Sequence, residues 1–387
     1  MALTLLDSID IYFGSTKRTL QLCQGDLSNM TPQDAVDFLV VSALPGDYSP
    51  TSGSLIGALN QHGVSVAALS QNKAANYEPT MPCWVSQQVV STNPGIQFKR
   101  ILLFEPPNPA TEAIAYVESI FKGLDCFQSD TQSATAAMPM VCTGSGGASD
   151  ADILTALFYA AVHWQVQSFP LNIVKLTVYQ QDQVAPLKAL FATHKSNYTN
   201  LRTLNLPGGY SGYANSAWSI VSGMTLPAYL TQRQAFGICV YTSNYYMTIN
   251  SVLRTKQWTD PEYQQMLPLF ESIDSGLANI PPFVGLTYRG ESNMSSQRLA
   301  EYVPGNDVTA LAYTSTAYVQ GGWYNKKYQF DINSLKGSKI DNYSIFPSEK
   351  EVVYHRELIE HVNTKNANSY GGFKFGIDEK VINYCGK

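Results

Sequence analysis

The chain has 387 residues, of which 44% are hydrophobic, 12% aromatic and only 14% charged. This composition excludes an intrinsically disordered protein, and the length favours two domains, since a single domain usually contains about 100–200 residues. The net charge is −5 and the basic residues are scattered, so a nucleic-acid partner is not expected.

The N-terminal segment does not resemble an export signal. Its first twenty residues, MALTLLDSIDIYFGSTKRTL, contain Asp7 and Asp10 and have no basic stretch ahead of an apolar run. No apolar run in the chain reaches about 18 residues, which is the length that a spanning helix needs. We therefore expect no membrane partner.

The cysteines and histidines do not form a metal-binding pattern. The six cysteines are widely spaced and several lie in apolar, strand-like surroundings, while the five histidines include no pair at helical spacing. This usage is typical of reduced, buried thiols, and no CxxC motif is present. We expect six reduced cysteines and no metal site.

The first half of the chain alternates between strand and helix patterns. The stretches 35–44 (AVDFLVVSAL) and 98–106 (FKRILLFEP) are β-branched and apolar, and 54–63 is a short helix that ends at a glycine. Residues 138–167 then predict a strand, a glycine loop and a long helix, and 173–180 predict another strand. This alternation is typical of a three-layer α/β domain with a largely parallel sheet.

The second half has a different pattern. Prolines, glycines and small polar residues are concentrated between about 200 and 230, and we place the domain boundary there. Segments 231–255 and 261–280 are helical, and short strands such as FVGLTYRG and KKYQFDINS follow without intervening helices. Helices followed by strands indicate an α+β domain.

One short stretch, IFPSEKEVVYHRE (345–357), is compatible with two interpretations, a helix and a strand. Ser348 and Glu351 fit a helix-capping box, and ELIEHV downstream has helical spacing. On a strand, by contrast, Glu349 and Glu351 would share one face and project into the same cleft. The local pattern leaves both open.

Three motifs in the second half occur in a suggestive order. They are GLTYRG (285–290), YTSTA (313–317) and SEKE (348–351), and a helix YTSNYYMTINSVLR precedes them. Together they resemble the arginine-specific mono-ADP-ribosyltransferases of the R-S-E class over about residues 229–385. The resemblance implies an α+β ADP-ribosyltransferase domain, NAD as substrate, no metal, and a protein acceptor with an exposed arginine. It also favours the strand reading of Glu349 and Glu351.

The resemblance also implies roles for four catalytic residues. Glu351 would hydrogen-bond the nicotinamide ribose and stabilise the oxocarbenium-like state that forms when the nicotinamide bond breaks. Arg289 would hold NAD phosphate or ribose with its planar guanidinium. Ser315 would orient Glu351, and Glu349 would orient the guanidinium of the acceptor.

Further NAD contacts follow from the same resemblance. Tyr288, Gly290, Tyr313 and Thr316 flank the motif residues, and Phe330 corresponds to the aromatic residue that stacks on nicotinamide. Two departures from the family pattern are Ala317, in place of the last serine of Ser-Thr-Ser, and Tyr313, where phenylalanine is frequent. Phe346 precedes the glutamates and is suited to stack on an acceptor guanidinium.

The first half resembles macro domains, which bind ADP-ribose. LQLCQGDLSN (20–29) implies an adenine contact by Asp26, and the glycine loop at 143–147 implies phosphate binding by Gly144 and Gly146, since amides at a helix N-terminus bind anions. The stretch 42–59 lacks the asparagines of macro-domain hydrolases. We therefore expect no removal of ADP-ribose.

The predicted organisation is a macro-like α/β domain at 1–200, a linker at 201–228 and a mono-ADP-ribosyltransferase domain at 229–387. The predicted function is transfer of ADP-ribose from NAD to protein arginine. The alternatives are an NAD glycohydrolase and a catalytically silent module that binds ADP-ribose or NAD. We expect a protein that is cytoplasmic, or delivered into a target cell without a conventional signal peptide.

Overall fold

The chain divides into two compact units. A computed structural model describes residues 2–13, 16–78, 80–127, 134–166, 171–381 and 385. The first unit comprises Met1–Thr199 with Asn383–Lys387, and the second comprises Asn200–Ile382. No helix in the described ranges is long and apolar enough to cross a membrane.

The first unit is built on an eight-stranded sheet. Its strands are β1 (Thr4–Phe13), β2 (Thr16–Gln24), β3 (Val36–Ser42), β4 (Lys73–Asn76), β5 (Cys83–Ser86), β6 (Phe98–Phe104), β7 (Ala134–Pro139) and β8 (Leu171–Val178). Their order is β1-β2-β8-β7-β3-β6-β5-β4. The five strands from β2 to β6 in this order run parallel, and β1, β5 and β4 pair antiparallel. The parallel centre agrees with the strand–helix alternation of the sequence.

Helices cover both faces of this sheet. They are α1 (Leu55–Gln61), α2 (Val66–Ser70), α3 (Pro109–Cys126), α4 (Asp150–Gln165) and α5 (Gln181–Thr199). Leu39 and Leu103 pack with Ile56 and Leu59 of α1 in one core cluster. On the opposite face α4 packs between α3 and α5. Because α4 is apolar around its whole circumference, it is buried on all sides, and the unit is a three-layer α/β structure.

The cysteine prediction is wrong for one pair. Cys126, at the end of α3, forms a disulfide with Cys385. The other four cysteines are free and buried, as expected (Cys23, Cys83, Cys142 and Cys239). The two partners are 259 residues apart, so no local spacing could indicate that they meet.

The second unit combines helices with a seven-stranded sheet. The helices are α6 (Tyr210–Val221), α7 (Gln232–Tyr241), α8 (Tyr246–Thr255), α9 (Pro261–Asn279) and α10 (Ser296–Glu301). The strands are β9 (Pro282–Glu291), β10 (Asp307–Ala310), β11 (Thr314–Ala317), β12 (Tyr328–Lys339), β13 (Glu351–Tyr354), β14 (Leu358–Ala367) and β15 (Phe373–Lys380). The order is β10-β14-β15-β12-β13-β11-β9, and β9 also pairs with β12. The helices precede the strands, which is the α+β arrangement that the sequence indicates.

The predicted linker at 201–228 is folded and belongs to the second unit. It contains a 3-10 helix at Leu201–Thr203 and the three-turn helix α6. Tyr210, Ala214, Ala217 and Val221 are all buried, and their spacing places them on one face of α6. Small residues therefore serve close packing here, where the sequence suggested a flexible connection.

After residue 230, the structure differs in part from the helices that the sequence predicts. The single helix predicted at 231–255 is divided into α7 and α8, whereas α9 fills the predicted span 261–280 almost completely. ELIEHV is not helical, since Leu358 begins strand β14. Strand pairing with β10 and β15 outweighs the helical spacing of that stretch.

Candidate active site

Arg289, Ser315 and Glu351 meet through two hydrogen bonds. The Nη1 of Arg289, on β9, donates to the backbone oxygen of Ser315 at 3.0 Å, and the Ser315 hydroxyl donates to Oε1 of Glu351 at 2.5 Å. Strand pairing explains the meeting, because β11 lies against β13 with Ala317 opposite Glu351. Three residues that are far apart in sequence thus form one connected group.

Glu351 is a buried carboxyl group. Only 6% of the residue is exposed, and this burial raises its pKa to about 7. The hydrogen bond from Ser315 acts in the opposite direction and lowers the pKa, while the charge of Glu349 raises it further. The group therefore changes its charge close to neutral pH.

Glu349 and Glu351 do not share a strand. Glu349 ends an exposed 3-10 helix, Pro347–Glu349, and Lys350 has a left-handed φ of 53°. Glu351 is then the first residue of β13. Neither the predicted common strand face nor the capping-box helix forms, because the turn at Lys350 separates the two carboxylates. They remain close enough for Glu349 to raise the pKa of Glu351.

A cavity of about 460 Å³ lies beside Arg289 and Ser315. Helix α8 contributes one face to it, through Met247, Asn250 and Arg254, which are spaced for one side of a helix. The remaining lining residues are Tyr241, Tyr246, Ser251 and Thr255. A volume of several hundred Å³ is typical of sites for small organic ligands.

The cavity carries unpaired positive charge. Arg254 has no hydrogen-bond or ion-pair partner among the described residues, and its pKa is lowered by burial and by the charges of Arg289 and Arg298. Arg289 uses two of the five N–H groups of an arginine side chain, and the other three have no partner in the described part of the chain. Arg289 is ion-paired with Glu291, so Arg254 supplies the unpaired charge, and both arginines supply free N–H donors for an anionic ligand.

One of the lining residues, Asn250, carries a buried acceptor without a hydrogen-bond partner among the described residues. Asn250 lines the cavity, is only 6% exposed, and its Oδ1 has no hydrogen-bond partner within the described ranges. Its Nδ2 donates to the backbone oxygen of Tyr313 and to the hydroxyl of Tyr241, both at 3.4 Å. A buried unpaired oxygen costs free energy unless a ligand donates to it.

The other predicted NAD contacts do not line the cavity. Tyr313 is fully buried and donates its hydroxyl to Asp274 at 2.7 Å. Thr316 is buried and donates to the backbone oxygen of Val352. Tyr288 packs edge-on against Tyr324. These three side chains hold the strands in place.

Gly290 has a packing role that the amino-acid sequence did not indicate. A Cβ at this position would lie 2.5 Å from the backbone oxygen of Trp323, so no larger residue fits on β9 here. The assignment of Phe330 is corrected in a similar way. Its ring is 1% exposed and stacks on Phe375 at 5.0 Å between centroids, which leaves no face for nicotinamide.

Sequence reasoning missed several residues of the site. Tyr241, Asn250 and Arg254 were given no individual role, although all three belong to the stretch YTSNYYMTINSVLR (241–254) that contributed to the resemblance. Glu291 was also missed, although it stands two residues after Arg289 on the same strand and hence on the same face. Its Oε1 accepts from Nε of Arg289 at 2.7 Å.

The cavity at the predicted ADP-ribose site of the first unit is much smaller than the cavity beside Arg289. A cavity of about 30 Å³ lies next to Gly146, and its lining includes Ser42 and Cys142. The Oδ1 of Asp26 is occupied by the amide and hydroxyl of Ser28, at 2.8 and 2.6 Å. A volume of about 30 Å³ holds one or two water molecules.

The described residues contain no group of three or more histidine, cysteine or acidic side chains that could hold a metal ion. The candidate site thus consists of two arginines, a serine, carboxylates and an amide.

The second half of the chain is similar to a known protein family. Residues 214–383 match the family described as ADP-ribosyltransferase exoenzyme. The C-terminal half of the chain therefore carries an ADP-ribosyltransferase exoenzyme domain.

One curated relative matches over a short region. A Mycobacterium avium protein, Mav, named as an NAD(+)–arginine ADP-ribosyltransferase, is 28% identical over 118 residues. The match covers 30% of this chain and 14% of the relative.

Solved structures of bacterial effectors and toxins are similar at a low level. The type III effector XopAI of Xanthomonas axonopodis pv. citri has 17% identity and a TM-score of 0.40, over 49% of this chain and 88% of the effector. Exoenzyme S of Pseudomonas aeruginosa, solved with human 14-3-3 protein beta and carba-NAD, has 16% identity and a TM-score of 0.37, over 44% and 83%. The C3 exoenzyme of Clostridium limosum has 17% identity and a TM-score of 0.34, over 44% and 92%.

Proposed function

We propose that the second unit is a mono-ADP-ribosyltransferase that cleaves NAD and transfers ADP-ribose to an arginine side chain of a protein acceptor. The observation that carries the proposal is the connected group Arg289, Ser315 and Glu351 at the edge of a cationic cavity. In the reaction the bond between nicotinamide and ribose breaks, a guanidinium nitrogen bonds to the ribose carbon, and nicotinamide and one proton are released.

The cavity contains cationic side chains suited to the negatively charged phosphates of NAD. Arg254 and Arg289 offer unpaired N–H donors to the two phosphates, which a guanidinium recognises with paired hydrogen bonds. The unpaired Oδ1 of Asn250 accepts from a hydroxyl or amino group of the dinucleotide. Binding then satisfies groups that the protein alone leaves without partners.

Glu351 stabilises the transition state of the reaction. Breaking the nicotinamide bond develops positive charge on the ribose, and a nearby carboxylate stabilises it. Ser315 fixes the orientation of this carboxylate through its hydroxyl. Burial makes the interaction stronger than it would be in water.

Arginine as the acceptor is supported by the loop ahead of β13. Glu349 is exposed there, and Phe346, three residues earlier, is 46% exposed. A carboxylate and an aromatic ring at one loop are suited to orient an incoming guanidinium. The name of the Mycobacterium avium relative is in line with this acceptor.

A second candidate is an NAD glycohydrolase. Glu349 lies outside β13, on an exposed turn, whereas Arg289, Ser315 and Glu351 are joined by hydrogen bonds. Cleavage needs only the joined residues, and water replaces arginine as the acceptor in that case.

We also propose that the first unit is a macro-like domain. A parallel centre with antiparallel edge strands and helices on both faces supports this assignment, as does the glycine loop before α4. The 30 Å³ cavity favours a role other than binding ADP-ribose. That the protein is cytoplasmic, or is delivered into a target cell, stays a prediction.

The test is to incubate the protein with NAD and measure nicotinamide release, labelling of agmatine, and ADP-ribosylated arginines in a lysate by mass spectrometry. Release with agmatine labelling supports the transferase, and release alone supports the glycohydrolase. Glu351→Gln should abolish both, whereas Glu301→Gln, an exposed change on α10, should leave both unchanged. Absence of nicotinamide release from the unaltered protein contradicts both candidates.

A further inference from the structure

A network of hydrogen-bonded side chains connects Arg289 to the core of the sheet. It consists of Glu291, Arg298, Tyr302 and Glu360. Oε1 of Glu291 accepts from Nε of Arg289, and its Oε2 accepts from Nη1 of Arg298, each at 2.7 Å. Both oxygens of one carboxylate are thus used to join two arginines.

The network continues into the core of the sheet. Nη2 of Arg298 donates to the hydroxyl of Tyr302 at 3.2 Å, and this hydroxyl donates to Oε2 of Glu360. Tyr302 and Glu360 are only 1% and 2% exposed. The far end is therefore anchored where neither side chain can move freely.

The charges explain why Arg289 needs such support. Arg254, Arg289 and Arg298 lie close enough for each to act on the others, and like charges at short range repel. Glu291 is 13% exposed at its side chain and compensates the two arginines that it joins. Without this carboxylate, repulsion would turn the Arg289 guanidinium away from its place beside Ser315.

The two fixed points also determine the plane of the guanidinium. Glu291 holds Nε, and the Ser315 backbone oxygen holds Nη1, so the planar group has one orientation left. The three remaining N–H groups are then fixed in direction before any ligand arrives. Ordering a flexible side chain in advance removes part of the entropy cost of binding.

We propose that Glu291 and Arg298 are positioning residues, which hold the Arg289 guanidinium in the orientation that binds NAD. The inference rests on the proposed function, since it assigns NAD to the cavity beside Arg289. Neither residue contacts the reacting atoms. Their loss should weaken NAD binding and leave the chemical step nearly unchanged.

The first measurement is NAD binding by calorimetry, using the full chain with Glu351→Gln so that NAD is not consumed. Adding Glu291→Gln should raise the Kd for NAD by about tenfold to a hundredfold, the loss expected for a charged hydrogen bond. Adding Arg298→Gln should raise it less, because Arg298 acts through Glu291. The control, Glu301→Gln, lies on the same helix as Arg298, is exposed, and should not change the Kd.

The second measurement separates positioning from general stability. In the chain with Glu351 intact, Glu291→Gln should raise the KM for NAD with kcat within about threefold of the unaltered protein. The double variant Glu291→Gln with Arg298→Gln should bind no more weakly than Glu291→Gln alone, since one network is broken once. If Glu291→Gln is unstable, Arg298→Gln, at a side chain 37% exposed, provides the same test.

The outcomes distinguish the two proposals. Unchanged Kd in Glu291→Gln, or additive losses in the double variant, overturns the positioning role and leaves the proposed function intact. A fall in kcat with unchanged Kd also overturns it. If the unaltered protein does not bind NAD, the proposed function fails first and the positioning role fails with it.

Discussion

The two units each contain a region that the sequence predicts to bind part of NAD, and the regions differ in which polar groups are left unpaired. In the second unit, Arg254 and Asn250 line a cavity of about 460 Å³, and Oδ1 of Asn250 has no partner among the described residues. In the first unit, Oδ1 of Asp26 accepts both hydrogen bonds from Ser28, and the cavity near Gly146 measures about 30 Å³. A glycine motif specifies the path of a loop, whereas binding needs free donors and acceptors beside open space.

The two regions also differ in the sign of the charged side chains that they contain. The second unit gathers arginines at its cavity, which suits the two phosphates of a dinucleotide. In the first unit, Asp150 and Asp152 occupy the first turn of α4, directly after the glycine loop. Carboxylates stabilise the helix end and repel phosphate there, so the partial positive charge of the helix is already used.

The largest effect should come from Glu351→Ala. It removes the carboxylate at the developing positive charge, so both NAD hydrolysis and arginine transfer should fall by about 10² to 10³-fold. Nicotinamide release and agmatine labelling measure the two activities. Unchanged activity would remove the transferase assignment and with it the contrast between the units.

Glu349→Gln should have a large effect on one activity only. Transfer to agmatine should fall by about a hundredfold, because the acceptor guanidinium loses its carboxylate, while hydrolysis to water continues. The same two assays measure this division. Equal loss of both activities would mean that Glu349 acts on NAD itself.

The pH dependence of the second unit follows from the raised pKa of Glu351. Its carboxylate must be ionised to stabilise positive charge, so NAD hydrolysis should decline as the pH falls below about 7. Glu349→Gln removes a charge that raises this pKa, so the decline should begin at a lower pH. An unchanged profile would show that another group controls the rate.

The same pKa predicts a stability effect with a definite sign. The folded-state pKa is raised from its usual 4.5 to about 7, so the proton is held more tightly in the folded chain. The stability that this proton provides is present below pH 4.5 and is lost as the pH rises through 7. Glu351→Gln, which resembles the protonated group, should therefore stabilise the chain by about 3 kcal/mol at pH 8 and by less than about 1 kcal/mol at pH 5. Urea unfolding at both pH values checks this, and equal stabilisation at both would contradict it.

Much of the architecture could be predicted from local sequence. Strand–helix alternation indicated the parallel centre of the first sheet, and α9 fills almost the whole span that its pattern predicts. The resemblance of three short motifs to a known family pointed to Arg289, Ser315 and Glu351, which meet in space. These features follow from short motifs and apolar periodicity, which are visible in the sequence.

Other features depend on contacts between distant segments. Phe330 has the same alternation whether it faces the core or a ligand, and only packing against Phe375 decides. The separation of Glu349 from Glu351 results from the left-handed turn at Lys350, a residue that rarely adopts this conformation. The Cys126–Cys385 disulfide likewise depends on the folded chain, since no spacing rule joins residues so far apart.

The smallest effect is expected in the first unit. The test uses the full chain carrying Arg254→Ala and Arg289→Ala, which disable the other cavity. Calorimetric titration with ADP-ribose should give little or no heat, because the cavity near Gly146 measures only about 30 Å³ and two aspartates occupy the first turn of α4. An ADP-ribosylated protein added to this variant should also keep its modification. The matched control is the same titration with the arginines intact, where ADP-ribose should bind the second unit. Strong binding that survives the loss of both arginines would place a nucleotide site in the first unit after all, and it would mean that the loop before α4 opens when the ligand arrives.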